Sequence, residues 1–322
     1  MTSRDRVLTT INHREPDRVP FNLRPAAEHL ARLREQVREV DFAEHFHHDV
    51  RYVTIPEPPR PDEVPLSEWT PRPTEEEVTR AREAARDLQQ RGLAVCGSYN
   101  CGVYEQAKHW FGDEAAMIGP YENPLEFGKM LDRITEWKCA RYGAYVAAGV
   151  DLVWIGDDLG TQRSLVMSPA QYREWYRPRH QVIVTHLRAI RSDVKIAFHC
   201  CGHVTPLIPD LIELGIDVLE AVQPEAMDLG YLKREFGRDL AFWGGIGAQS
   251  ALAGTPAEAI AGVRDTLRLM APGGGYIAAP CHTLTEEVRW ETVLAFHEAV
   301  TVYGDYPHPG DAWELTSQRE GC

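Results

Sequence analysis

A histidine and a cysteine two positions apart, His199 and Cys201, end an apolar run, and Cys281 ends another run after 79 intervening residues. Two thiolates and one imidazole are common zinc ligands, and three protein ligands leave one coordination position open for chemistry. In an extended strand, residues two apart face the same side, so His199 and Cys201 can reach one ion while Cys200 points away. The pattern therefore predicts a catalytic zinc site at strand ends.

The fourth position of this predicted site is left open by the sequence. A substrate atom would make the zinc catalytic. His203 or His282, each close in sequence to a predicted ligand, would instead close the site and make the zinc structural.

Three acidic residues also stand at the ends of apolar runs. Asp157 and Asp158 are adjacent after one run, so one is expected to face the cleft while the other caps a turn. We assign Asp157 to the cleft as the catalytic residue, either as a general base or as a hydrogen-bond acceptor for the substrate, and we predict that Asp158 contacts the substrate. Plain turn chemistry is the open alternative for both. Glu220 ends another run, where a carboxylate is costly unless it is paired. It is predicted to act in catalysis, either by orienting the imidazole of His199 or by holding the substrate, although a structural salt bridge is an open alternative.

Polar side chains that follow two of the apolar runs are candidates for substrate binding. Tyr99 and Asn100 follow the third apolar run, and Gln223 follows the sixth. Working residues of a (β/α)₈ barrel stand at the C-terminal ends of its strands, which is where all these residues fall.

The elements that must position these residues are short apolar runs that alternate with longer helical patterns. Continuous apolar runs are typical of strands buried on both faces, and eight of them separated by helices predict an α/β fold, a (β/α)₈ TIM barrel. We expect one domain over residues 1–303, with a proline-rich loop at 56–73 and an extended C-terminal tail at 304–322. The eight runs are Val19–Leu23, Val50–Ile55, Leu93–Gly97, Asp151–Ile155, Val194–His199, Ile216–Ala221, Leu240–Gly244 and Gly275–Pro280.

Charge and composition limit the partners and the cellular location expected for the protein. The net charge of -14 argues against nucleic acid or an anionic membrane as a partner. No apolar run approaches the ~20 residues of a membrane span, and the first residues lack the apolar core of a signal peptide. Seven cysteines in 322 residues do not suggest a disulfide framework. These features predict a cytoplasmic protein.

Several motifs along nearly the whole chain resemble the uroporphyrinogen decarboxylase superfamily, whose fold is a (β/α)₈ barrel. One branch of that superfamily contains metal-free decarboxylases, in which two arginines near the N-terminus bind substrate carboxylates. In the corresponding segment 21–28, Arg24 matches one of them and the second is missing. The motifs are Arg14–Pro20, His199–Gly202, Val222–Pro224, Phe242–Ile246 and Gly273–Pro280.

A second branch contains the cobamide-dependent methyltransferases, among them coenzyme M methyltransferases and aryl-ether demethylases. Their zinc motif is similar to His199, Cys201 and Cys281 in this chain. The resemblance implies a zinc-dependent methyltransferase that moves a methyl group between a small thiol or methyl ether and a corrinoid carried on a separate protein. It also implies a homodimer. The alternatives are a metal-free decarboxylase, with Arg24 binding substrate, and a non-catalytic barrel with a closed structural zinc site.

Overall fold

The computed structural model describes residues 1–37, 41–58, 60–98 and 101–306 of the chain. Helices and parallel strands alternate along it, which makes it an α/β protein. The chain divides into two compact units, a central unit of Val50–Glu220 and a terminal unit that combines Met1–Asp49 with the chain from Ala221 onward. No described helix is both long enough and apolar enough to cross a membrane.

The strands and helices are numbered here in chain order. The strands are β1 Val50–Val53, β2 Ala94–Gly97, β3 Leu152–Gly156, β4 Lys195–His199, β5 Val218–Ala221, β6 Ala241–Ile246 and β7 Tyr276–Pro280. The helices are α1 Ser3–Ile11, α2 Ala27–Val37, α3 Phe42–His45, α4 Glu75–Gln90, α5 Val103–Glu122, α6 Pro124–Ala148, α7 Pro169–Gln171, α8 Arg177–Ile190, α9 Ile208–Leu214, α10 Leu229–Phe236, α11 Pro256–Met270 and α12 Trp290–Tyr303. Two 3₁₀ turns, Leu66–Glu68 and Thr205–Leu207, and a π-helical turn, Tyr172–Tyr176, complete the described elements.

In the central unit, β1 to β5 pair in chain order, and every pair is parallel. Nearly all their residues are buried, as their continuous apolar sequences predict. The register places Gly156 opposite His199 and His199 opposite Glu220. The ends of β3, β4 and β5 are therefore level with one another, which brings the loops that follow β3 and β4 side by side.

Three helix starts follow their sequence signals. Thr74, Ser168 and Thr255 each accept a backbone N–H three residues on, and the Glu or Gln at that position bonds back to the cap residue. Such a capping box satisfies two amides that the first helical turn leaves without partners. The three boxes therefore stabilise the first turns of α4, α7 and α11.

The first of the eight predicted strands does not form. Residues 19–23 lie beside β7 in the terminal unit, where the amide of Asn22 donates to the carbonyl of Ala278 at 3.1 Å and the amide of Ala278 donates to that of Pro20 at 2.8 Å. The only strand-like feature there is an isolated parallel bridge between Phe21 and Ala278. Pro20 has no N–H to donate, so a regular ladder cannot extend through it. Seven strands are present in the described residues, and closure into an eight-stranded barrel stays a prediction.

The same segment is fixed from its other side by a buried carboxylate. Asp49 is fully buried and accepts hydrogen bonds from Arg6 at 2.7 Å, Arg18 at 2.7 Å and the amide of Phe21 at 3.0 Å. Nearby, the indole of Trp243 in β6 donates to Asn22 at 2.7 Å. Because a buried charge is tolerated only when it is paired, this network fixes residues 18–22 within the terminal unit.

Candidate metal centre

The imidazole of His199 is held in one orientation by Glu220 on the neighbouring strand. The two residues are register partners at the ends of β4 and β5, and both side chains are more than nine-tenths buried. Nδ1 of His199 lies in hydrogen-bond contact with the Glu220 carboxylate. A carboxylate can only accept here, so the contact assigns a proton to Nδ1, and Nε2 is the nitrogen that can bind a metal once it has lost its own proton. This is the arrangement that zinc-bound histidines commonly have, and it is one of the two roles predicted for Glu220.

Two further donor atoms face Nε2. The sulfur of Cys201 lies 3.4 Å from it, and Oδ1 of Asp158 also lies 3.4 Å from it. The three donor atoms lie within 4.8 Å of one another. Zinc bonds of about 2.0–2.3 Å at tetrahedral angles would separate neighbouring ligand atoms by roughly 3.4–3.6 Å. The nitrogen, sulfur and oxygen donors of His199, Cys201 and Asp158 therefore fit a zinc ion in both chemistry and spacing.

The backbone brings these side chains together through close contact between two loops. A Cβ added to Gly160 would stand 2.6 Å from the carbonyl oxygen of Cys201, and one added to Gly202 would stand 2.5 Å from that of Thr161. The amide of His203 also donates to Thr161 at 2.7 Å. Gly202 has a φ of +75°, a conformation that glycine adopts without strain. The loops after β3 and β4 can thus touch only because each carries a glycine at the contact.

Asp158 also fixes the backbone of its neighbour in the donor group. The amide of Cys201 donates to Oδ1 of Asp158 at 2.8 Å, and the Asp158 side chain is 40% exposed. The carboxylate therefore holds the Cys201 peptide on one side and faces His199 on the other, while it stays accessible to solvent.

The charges of the metal-free group stabilise a protonated histidine. Burial alone would lower the pKa of His199, but the Glu220 carboxylate and the hydrogen bonds with Cys201 and Glu220 raise that pKa well above its ordinary value. Burial raises the pKa of Cys201, and contact with His199 opposes the rise. A metal ion that binds here must therefore displace protons.

Cys200, the residue after β4, lies outside the donor group, as the alternation of side chains expected from the sequence predicts. It is fully buried, and its sulfur accepts a hydrogen bond from the amide of Leu159 at 3.3 Å. Burial raises the pKa of its thiol well above the ordinary value. Cys200 thus packs behind the loop as a neutral thiol.

Asp157 and Asp158 take positions opposite to those expected from the sequence. Asp157 was assigned to the cleft, but its carboxylate is fully buried and accepts the amides of Val103 and Glu105 in the first turn of α5, both at 2.9 Å. The N-cap residue of α5 is Gly102, which has no side chain with which to cap. Asp157 supplies the missing acceptor from another part of the chain, where a negative charge also suits the helix dipole.

A buried histidine completes the surroundings of Asp157. Nε2 of His180 donates to Asp157 at 2.8 Å, and its Nδ1 lies 3.2 Å from the hydroxyl of Tyr172. Sequence reasoning gave no role to His180, because a histidine inside a helical pattern carries no local signal of its partner. The catalytic role predicted for Asp157 would require this structural carboxylate to leave three hydrogen-bond donors.

Cys281, the third predicted zinc ligand, belongs to the terminal unit. Its side chain is buried, and its sulfur accepts the amide of Ala248 at 3.3 Å and lies 3.8 Å from a carboxylate oxygen of Glu225. His282, one alternative fourth ligand, is exposed, and its Nδ1 lies 3.2 Å from the carbonyl oxygen of Thr283. The other alternative, His203, is half-buried in the central unit.

The predicted substrate-binding residues are distributed over both units. Arg24 donates to the hydroxyl of Thr283 at 2.9 Å in the terminal unit. Gln223 is buried, and its backbone carbonyl accepts the amides of Ala226 and Met227 in a turn. Tyr99 and Asn100 lie outside the described residues. Asp158 belongs to the donor group of the central unit.

Comparisons with known proteins identify the family. Residues 112–303 match the uroporphyrinogen decarboxylase (URO-D) family, and since that match covers more than half of the chain, the protein belongs to this family. Among solved structures, the chain is similar in fold to a methyltransferase from Methanosarcina mazei, with a TM-score of 0.71, 17% sequence identity, and coverage of 94% of this chain and 99% of that one. No curated protein matches.

Weaker structural matches include a B12-independent methionine synthase from Shewanella sp. W3-18-1, with a TM-score of 0.47, 12% identity, and coverage of 83% of this chain and 71% of that one. An L-ribulose 3-epimerase matches with a TM-score of 0.48, 12% identity, and coverage of 95% and 99%. These likenesses concern the broad arrangement of helices and strands.

Proposed function

We propose that this protein is a zinc-dependent methyltransferase, which moves a methyl group between a small thiol or methyl ether and a corrinoid carried by a separate protein. The observation that carries the proposal is the group formed by His199, Cys201 and Asp158, whose donor atoms lie within 4.8 Å of one another beside Glu220. The similarity in fold to the Methanosarcina mazei methyltransferase supports the same class of reaction. The corrinoid partner is a prediction from the sequence resemblance.

In this proposal, Nε2 of His199 and the sulfur of Cys201 bind the zinc, with Cys281 retained as the third ligand on the evidence of the sequence. Bound zinc would act as a Lewis acid, which lowers the pKa of a substrate thiol or withdraws charge from an ether oxygen. Glu220 keeps the imidazole in the tautomer that offers Nε2. The thiolates limit the net charge of the centre, which favours a polarisable fourth ligand.

Asp158 is proposed to occupy the position that the substrate takes. Its side chain is 40% exposed, against 8% for His199, and its Oδ1 already accepts the Cys201 amide. A carboxylate that can turn toward water can give way to a substrate thiol or ether oxygen. The fourth position thereby gains a third candidate beside His203 and His282.

Metal analysis of a thiolate-ligand variant tests the proposal. Purified without chelator, the wild-type protein should hold about one zinc per chain. Cys201→Ser should lose the zinc and the methyl transfer, because a serine hydroxyl is a poor zinc ligand at neutral pH. Cys139→Ser is the matched control, since Cys139 is a buried cysteine on α6 and should leave zinc content unchanged. Metal-free wild-type protein, or full zinc retention in Cys201→Ser, would contradict the proposal.

Two further measurements separate the parts of the proposal. Zinc content of Cys281→Ser decides whether that thiol is the third ligand. Zinc-edge X-ray absorption with and without a candidate thiol shows whether substrate sulfur enters the metal's coordination. An unchanged spectrum and four protein ligands would favour a closed structural zinc site over a catalytic one.

A metal-free decarboxylase is the second candidate, because the chain belongs to the URO-D family. Arg24 is the one matching arginine, and it is half-buried beside Thr283. This function predicts loss of carboxyl groups from an acidic substrate, activity that survives dialysis against a chelator, and loss of substrate binding in Arg24→Ala. A methyltransferase would instead be inactivated by the chelator and restored by zinc.

A further inference from the structure

A buried lysine and a cysteine lie together in the central unit, at a site with no role in the proposed metal centre. Lys138 projects from α6 and is fully buried. Its Nζ lies 3.7 Å from the sulfur of Cys101, which follows β2 and directly precedes the N-cap residue of α5. The cysteine residue is partly exposed to solvent, whereas Lys138 is not.

One side-chain oxygen holds both groups. Oε1 of Gln106 accepts a hydrogen bond from Nζ of Lys138 at 2.9 Å and another from the Cys101 thiol at 3.3 Å. Because the amine and the thiol share this acceptor, they are kept on the same side of it and next to each other. The hydroxyl of Tyr142, one turn along α6, also donates to the Cys101 carbonyl at 3.2 Å and ties the cysteine backbone to that helix.

The surroundings favour the uncharged forms of both groups. Burial lowers the pKa of Lys138, since an ammonium is costly to remove from water. Burial also raises the pKa of Cys101 to about 11, although the nearby Lys138 opposes that rise. A neutral amine carries a free electron pair and is a nucleophile, which a protonated lysine on the surface is not.

We propose that Cys101 and Lys138 form a covalent sulfur–nitrogen cross-link when the protein meets hydrogen peroxide. In alkaline solution, where part of Cys101 is present as the thiolate, its sulfur attacks peroxide and becomes a sulfenic acid. The O–O bond breaks, and the other oxygen leaves as hydroxide, which takes up a proton to become water. The Lys138 amine then attacks that sulfur, the S–N bond forms, the S–OH bond breaks, and a second water leaves with a proton from nitrogen. Overall, one thiol, one amine and one peroxide give one sulfenamide and two waters. Sulfenic acids are known to condense with nitrogen in this way, and thiols reverse the bond.

The cross-link would join the residue before the N-cap of α5 to the middle of α6. Both ends already pack against each other, so the bond needs a sulfur–nitrogen approach from 3.7 Å and no rearrangement of helices. The start of α5 is also where Asp157 accepts the amides of Val103 and Glu105. Oxidation would therefore make this corner of the central unit more rigid.

Mass spectrometry of the full-length protein tests the cross-link. After treatment with peroxide in alkaline solution, the intact mass should fall by two hydrogens, and dithiothreitol should restore it. Trypsin should then leave residues 92–108 joined to residues 134–141, with no cleavage after Lys138. Fragment ions should place the bond between Cys101 and Lys138. A gain of oxygen at Cys101 without any cross-link would overturn the proposal.

A disulfide between Cys101 and Cys139 would give the same mass change, so a control must separate the two. Cys139→Ser should keep the joined peptides, because Cys139 takes no part in the proposed bond. Lys138→Arg should lose them, since a guanidinium does not condense with a sulfenic acid under these conditions. Loss of the joined peptides in folded Cys139→Ser would assign the bond to a disulfide and reject the proposal. The tryptic peptide maps of the wild-type protein and Cys139→Ser distinguish the cross-link from a disulfide even if Lys138→Arg does not fold.

Discussion

Asp157 and Asp158 are joined by one peptide bond, yet their carboxylates serve two different regions of the central unit. Asp157 is fully buried, and the two amides at the start of α5 and His180 donate to it. Asp158 is 40% exposed and faces His199 and Cys201. The Asp157 carboxylate therefore holds structure together, whereas the Asp158 carboxylate is exposed to solvent and lies beside two other potential metal ligands.

The difference shows how the molecule supports an exposed ligand on a loop. Asp157 secures its residue to α5, and Gly102 permits this, because a Cβ at that position would stand 2.6 Å from the Asp157 carboxylate. Because Asp157 is fixed, Asp158 can direct its side chain toward the donor group although it lies in a loop and not in a strand. Variants of each region should therefore change different properties.

The largest effect is expected from Asp157→Ala. This change leaves two helix amides and a buried histidine without their acceptor, and breaking a buried charged network of this kind costs about 3–5 kcal/mol. The free energy of unfolding should fall by that amount in urea titrations. Zinc content per folded chain at low temperature should stay near the wild-type value. A stability loss under 1 kcal/mol would end the assignment of Asp157 as an anchor.

A smaller effect, on metal affinity instead of stability, is expected from Glu220→Gln. A neutral amide keeps the shape of the side chain but no longer favours the Nδ1 proton of His199. Loss of such a partner typically lowers metal affinity by about 10–100-fold. Competition with a fluorescent zinc chelator measures the change, and Glu213→Gln, at an exposed carboxylate, is the control. Equal affinity in both variants would show that Glu220 does not support the metal ligand.

Asp158→Asn should have a smaller effect again. The amide oxygen of asparagine can still accept the Cys201 N–H, so the backbone should hold its position. The lost charge should weaken zinc binding by about tenfold, or 1.4 kcal/mol. If Asp158 occupies the substrate position, the factor by which KM for the substrate rises should be smaller than the factor by which zinc affinity falls. Unchanged zinc affinity would remove Asp158 from the ligand set.

The most gradual effect is a pH dependence of the metal-free protein. The pKa of His199 is raised in the folded state, so its protonated form stabilises the fold below its unfolded pKa of about 6.5, and that stability is lost as pH rises through the raised folded pKa. The unfolding free energy should change by at most about 1.4 kcal/mol per pH unit over this window. Glu220→Gln should flatten the profile, and a wild-type profile that rises with pH would contradict the assignment.

Much of the framework was predictable because its signals are local. Continuous apolar runs predicted all seven strands that the described residues contain. His199 and Glu220 were placed at strand ends as a candidate pair, and the parallel register does set them opposite each other. His199 and Cys201 were expected to face one ion because they are two residues apart, and they do share the donor group, although Cys201 lies in the loop after β4.

The remaining features depend on partners far away in the chain. The roles of Asp157 and Asp158 are set by α5 and by Cys201, which a run of two acids cannot reveal. The apolar run at 19–23 has the composition of a strand, yet Pro20 removes a donor and Asp49 takes the amide of Phe21. Sequence patterns report local preference, and these positions are decided by tertiary contacts instead.

The segment at residues 19–23 has a consequence for how the protein is handled. It covers backbone groups of Ala278 in β7 that would otherwise be open to another chain. Uncovered strand edges invite intermolecular pairing and aggregation. A variant that lacks residues 1–23 would expose this edge, and we expect it to aggregate more readily than the full chain.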